Sequence, residues 1–208
     1  MTSLAPVVSR RPILLDYVES LGHKVFDSPL YDLNIIGIRS SAEHSTPDTF
    51  DDRICCIYRD ESDQWITRTW AATTDPGIRY LVRPMNSSGC AAMAPGQYRG
   101  AYKIGTHRTY TALVQRGARV SFYRDNDRDD VLELDPATIK SGYAGLNIHR
   151  AASSGKTQKV GPYSAGCQVF QEDENGLQQL LELCRKQIKH HPTWSETFTY
   201  TLIDEPTW

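Results

Sequence analysis

The sequence predicts a mostly-β fold with a few helices, an α+β class. Three observations point there. Short runs of alternating apolar and polar residues recur between residues 33 and 123, and Gly, Pro, Asp and Asn punctuate them at short intervals. Only two stretches carry apolar residues at helical spacing. A chain of 208 residues, 39% hydrophobic and 23% charged, has the length and composition for one well-cored domain or a domain with a small appendage.

Taken in order, Ser9-Arg10-Arg11-Pro12 opens a helix with Pro12 in its first turn. Leu14, Leu15, Val18 and Leu21 follow at helical spacing, and Gly22 stops it. Leu33–Arg39 is a short strand. Residues 1–45 are therefore expected to form an N-terminal helix and connecting segment packed on a main domain of residues 46–208. Arg53–Tyr58 and Trp65–Ala71 flank the turn at 59–63 and read as a hairpin, followed by a turn over Thr73–Gly77. The small-residue stretch Gly89–Tyr98 reads as a loop, either rimming a site or simply packed. Gln97–Lys103, Thr109–Gln115 and Arg119–Tyr123 are further strands, broken at Gly105 and Gly117. Asp173 precedes an amphipathic helix with Leu177, Leu180, Leu181, Cys184 and Ile188 on one face and His190-His191 at its end. Thr197–Leu202 is the last strand.

Charge and cysteine usage exclude several function classes. A formal net charge of -2 does not suit a protein that holds nucleic acid, so none is expected as a partner. The run Arg124-Asp125-Asn126-Asp127-Arg128-Asp129-Asp130 reads as a solvated turn between two strands; the alternative is a cation-binding loop, although the run lacks the fixed glycine and terminal glutamate of an EF-hand loop. Five cysteines, an odd number without short repeated spacing, argue against a disulfide framework or a zinc ribbon. Cys55 and Cys56 read as strand residues on opposite faces, and Cys184 as a core thiol. No run is long and apolar enough for membrane insertion, and the first twelve residues do not resemble a secretory signal, so synthesis in the cytoplasm is expected.

The chemistry-bearing stretch runs from Gly142 to Gln171. His149 ends the apolar segment Gly145-Leu146-Asn147-Ile148, where a strand can aim its ring. Cys167 follows Ser164-Ala165-Gly166, where glycine permits a tight turn. A thiolate is the nucleophile, and an imidazole beside it can take the proton and hold an ion pair that lowers the thiol pKa. Backbone N–H groups around Gly166 and Cys167 would stabilise the oxyanion.

These residues resemble the catalytic motif of the L,D-transpeptidase (YkuD-type) family: a histidine, a polar loop, then Ser/Thr-His-Gly-Cys. Here the loop Arg150–Tyr163 joins His149 to Ser164-Ala165-Gly166-Cys167. The resemblance covers about thirty residues and departs from the family at Ala165, where a second histidine is usual. It departs also at Gln168, where an aliphatic residue is usual, and at Arg150, often small. It implies a β-sandwich or barrel of L,D-transpeptidase type, with Cys167 as nucleophile, His149 as base, Gly166 in the turn, and Ser164 either shaping that turn or bonding near the oxyanion. His107, Tyr163 and Arg150 are the expected substrate contacts. What would orient His149 stays open between a backbone carbonyl and a distant aspartate.

The implied activity is hydrolysis of peptidoglycan stem peptides through an acyl-enzyme, without a cofactor, by an endolysin-like protein acting on the wall after release. Cross-linking of the same peptides and a non-catalytic wall-binding or virion module are the alternatives. A third reading gathers His107, His149, Cys167 and an aspartate around zinc, although the spacing fits no known zinc motif. The sequence does not set an oligomeric state.

Overall fold

The computed structural model describes residues 10–41, 46–171 and 175–207. Ser9 and Asp173, to which helix starts were assigned above, lie outside them, as do the first eight residues, read above as unlike a secretory signal. Among the described residues the chain is mostly β, as expected. The strands are β1 (Asn34–Arg39), β2 (Asp52–Arg59), β3 (Trp65–Thr73), β4 (Cys90–Met93), β5 (Gly96–His107) and β6 (Tyr110–Gln115). They continue with β7 (Val120–Asp125), β8 (Lys140–Gly142), β9 (Ile148–Arg150), β10 (Gln168–Phe170) and β11 (Phe198–Asp204). The α-helices are α1 (Ile13–Ser20), α2 (Ile78–Val82) and α3 (Gly176–His190).

Eight strands close a barrel in the order β1-β11-β5-β6-β9-β10-β3-β2, and β4-β7-β8 form a separate three-stranded sheet. Closure follows from the alternation of side chains. Along β2, Ile54, Cys56 and Tyr58 enter the main core with Ile35, Tyr102, Tyr200 and Leu202. Cys55 and Ile57 face the other way and meet Leu15 and Val18 of α1. Covering those two α1 side chains contributes about 1.5–3 kcal/mol each. α3 turns Leu177, Leu180, Leu181 and Cys184 into the main core.

The barrel is closed by β1, which pairs parallel with β11 and antiparallel with β2. Gly37 makes that possible: a Cβ there would lie 1.8 Å from the Tyr200 hydroxyl. That hydroxyl instead donates to Gln168 Oε1 at 2.8 Å across the core. A division at residue 45 would thus cut through the barrel. α1 does pack on its outside, but β1 is one of its strands.

Two sequence expectations are corrected. Gly105 does not break a strand, because β5 runs through it and pairs with β6 without interruption from Tyr102 to His107. Gly89–Tyr98 is not a loop. Its residues Cys90–Met93, none of them β-branched, form β4 paired antiparallel with β7. The acidic run begins inside β7, whose last residue is Asp125.

Candidate active site

Parallel strands need a crossover connection, and the chain supplies one between β9 and β10. Their register pairs Gln168 with Ile148 and Val169 with His149. The Gln168 N–H donates to Asn147 O at 2.9 Å, which sets Cys167 beside Asn147, one step before the strand. Alternate residues of a strand share a face. Asn147, His149, Cys167 and Val169 therefore lie on the outer side of the barrel, while Ile148 and Gln168 point into it.

The turn before the nucleophile is tightly determined. Gly166 has φ +108, and a Cβ on it would sit 2.0 Å from Ala91 O. The buried Ser164 hydroxyl donates to Cys167 O at 2.9 Å and accepts the Gly166 N–H at 3.2 Å. Of the two roles open to Ser164, shaping the turn is the one its contacts fulfil. The same bond occupies the Gly166 N–H, which removes it as an oxyanion donor.

Cys167 opens into a cleft of about 360 Å³ between the barrel and the β4-β7 sheet. His107, His149 and Tyr163 line it, as do Arg108, Arg124 and Tyr80. Tyr163 also packs with Phe50, Val160 and Val169, so it serves the loop and the cleft wall at once. Among the described residues two arginines and no carboxylate line the cleft, which gives it a positive character.

His149 is only 4% exposed. Its Nδ1 lies 2.8 Å from the Arg150 carbonyl, with the Tyr110 hydroxyl 3.2 Å from the same nitrogen and donating to the same carbonyl. A carbonyl accepts, so Nδ1 carries the proton and Nε2 is left as the basic nitrogen. A backbone carbonyl, not an aspartate, orients the ring. Asn147 grips the other histidine. Its Oδ1 accepts the Gln115 N–H at 2.9 Å, which leaves Nδ2 to donate to His107 Nδ1 at 3.0 Å. The His107 ring then stacks on His149 at a centroid distance of 4.1 Å.

Arg150 departs from its expected part. Its guanidinium lies over the Tyr110 ring at 4.4 Å, donates to the Ala152 carbonyl, and is not among the cleft-lining groups. What Arg150 contributes is its carbonyl. Tyr110 and Arg108 had no sequence signal beyond their place in the β5–β6 hairpin. Gln168, a departure from the family pattern, is a core residue held by Tyr200.

At rest Cys167 and His149 are both uncharged. Burial, with small contributions from His107, Arg108 and Arg150, lowers His149 to about 3 against the support of the Arg150 carbonyl. Burial pushes the Cys167 thiol up to about 11, although the Asn147 N–H and Arg108 favour its thiolate. The thiol donates to Gly145 O at 3.5 Å, and among the described residues no hydrogen bond joins it to His149. The preformed ion pair expected from the sequence is therefore corrected: desolvation outweighs the neighbouring imidazole. His107 and His149 lie ring on ring and do not converge with Cys167 as a zinc ligand set.

Compared with models of known families, with curated proteins and with solved structures, the chain matches none. No helix among the described residues is long and apolar enough to cross a membrane.

Proposed function

We propose that this protein is a cysteine-dependent acyl-transfer enzyme that hydrolyses peptidoglycan stem peptides. One observation carries the reading. His149 on β9 and Cys167, one residue before the parallel strand β10, open into one cleft, with the His149 tautomer fixed so that Nε2 can accept a proton.

Both groups are neutral at rest, so charge separates only as attack proceeds. The Cys167 side chain turns from Gly145 O, its sulfur bonds to the substrate carbonyl carbon, and His149 Nε2 takes the thiol proton. The oxyanion forms near the Cys167 N–H. The C–N bond then breaks, the leaving amine takes the proton from His149, and water later hydrolyses the thioester. Such hydrogen bonds are often loose before substrate arrives. Arg108 and Arg124, with no acid beside them in the cleft, suit a substrate rich in carboxylates, as stem peptides are. By the resemblance to the L,D-transpeptidase motif, the carbonyl attacked would be that of a diaminopimelate in the stem peptide, with D-alanine as the leaving amine.

A second reading, a non-catalytic wall-binding module, draws on the high thiol pKa and its bond to Gly145. Digestion of purified sacculi separates the two. Hydrolysis predicts new muropeptide masses with wild type and none with Cys167→Ala. Equal release by both, or none by either, would overturn it.

A further inference from the structure

We propose that the turn leaving β7 is a divalent-cation site, held by Asp125, Asp127 and Glu133 and taking Ca²⁺. A carboxylate oxygen of each lies within 4.8 Å of the others. Acidic clusters alone are commonplace, and the independent observation is Asp125. It is 4% exposed, its Oδ2 accepts the Glu133 N–H at 3.0 Å, and its Oδ1 is buried with no partner. A buried carboxylate oxygen without a donor is costly, and a bound cation satisfies it. No Lys or Arg fills that role: among the described residues none of the ion pairs involves these three groups.

The ligand class follows from the donors. All three are carboxylates, with no nitrogen or sulfur, which selects a hard cation. Two of them are exposed on a turn, which suits the adaptable coordination of Ca²⁺ better than the strict octahedron of Mg²⁺.

The position gives the site a consequence. Asp125 pairs with Cys90 across β4 and β7, and the adjacent Arg124 donates to Gly89 O at 2.7 Å and lines the cleft. A cation here ties down a wall of the cleft that Cys167 also lines. The inference holds whether or not the cleft is catalytic.

The test is calorimetric titration of CaCl2 into the metal-free full chain, with melting followed in EDTA and in 10 mM Ca²⁺. Wild type is expected to bind one ion with a Kd of about 0.1–1 mM and to melt about 3–10 °C higher with Ca²⁺. Asp125 supports the turn through Glu133, so the variants are at the exposed residues. Asp127→Asn and Glu133→Gln should melt normally in EDTA and bind at least tenfold more weakly. Absence of both heat and stabilisation in wild type, or binding unchanged in both variants, overturns the proposal.

Discussion

Alkylation of Cys167 across pH tests the neutral resting state of the site. The thiol is lifted from 9.0 to about 11. At pH 8 an unperturbed thiol is about one-tenth ionised, whereas one at about 11 is about one-thousandth ionised, a ~100-fold loss of thiolate. A more basic thiolate is intrinsically more nucleophilic, which recovers about tenfold. The net expectation is a rate with iodoacetamide about tenfold below that of an accessible, unperturbed thiol. The rate should climb tenfold per pH unit from pH 7 to 9.5. Cys55, Cys56, Cys90 and Cys184 are buried, so peptide mass mapping should place the label on Cys167 in the folded protein. His149→Ala should leave the slope unchanged, because no ion pair is lost. A rate that is flat above neutral pH, and that falls in His149→Ala, would instead reveal a thiolate–imidazolium pair and a charged resting state.

Other consequences follow from the turn and the buried imidazole. Gly166→Ala places a Cβ 2.0 Å from Ala91 O at φ +108, so chemical denaturation should show a loss of about 3 kcal/mol or more. Ser164→Ala strips the turn of a buried hydroxyl with two bonds, and the same assay should show a loss of about 1–3 kcal/mol. His149 is held at about 3 against an ordinary 6.5, so the unfolded chain binds its proton first. Its contribution is complete above pH 6.5 and is lost as pH falls toward 3, by up to about 4–5 kcal/mol. Asp52, raised to about 7 by burial and by Asp75, acts oppositely over pH 3.8–7. Comparing wild type with His149→Gln across that range cancels Asp52, and a constant stability difference between them would contradict the buried neutral imidazole.

Where one residue in two met the core, the sequence was legible. Ile54, Cys56 and Tyr58 against Cys55 and Ile57 gave β2 two faces, and the 3.6-residue spacing of Leu177, Leu180, Leu181 and Cys184 gave α3. β4 escaped because its Cys-Ala-Ala-Met sequence has no β-branched residue, although all four residues are buried and pair with β7. β1 joins β11 across most of the chain, a pairing that no local pattern encodes.

At the site, the His149–Cys167 spacing was readable because a loop joins the two strands directly. The groups that hold His149 were not. Arg150 acts through a carbonyl that every residue possesses, and Tyr110 arrives from another hairpin. Ion-pair formation was misjudged because sequence spacing carries no information about desolvation, which decides both pKa shifts.

The proposed function requires acylation of Cys167 by a stem peptide, which rapid-quench mass spectrometry on muropeptide substrates detects. An adduct is expected on the peptide containing Cys167, equal in mass to the acyl fragment and absent from Cys167→Ala. Turnover with no such adduct, or an adduct on any other residue, would contradict it.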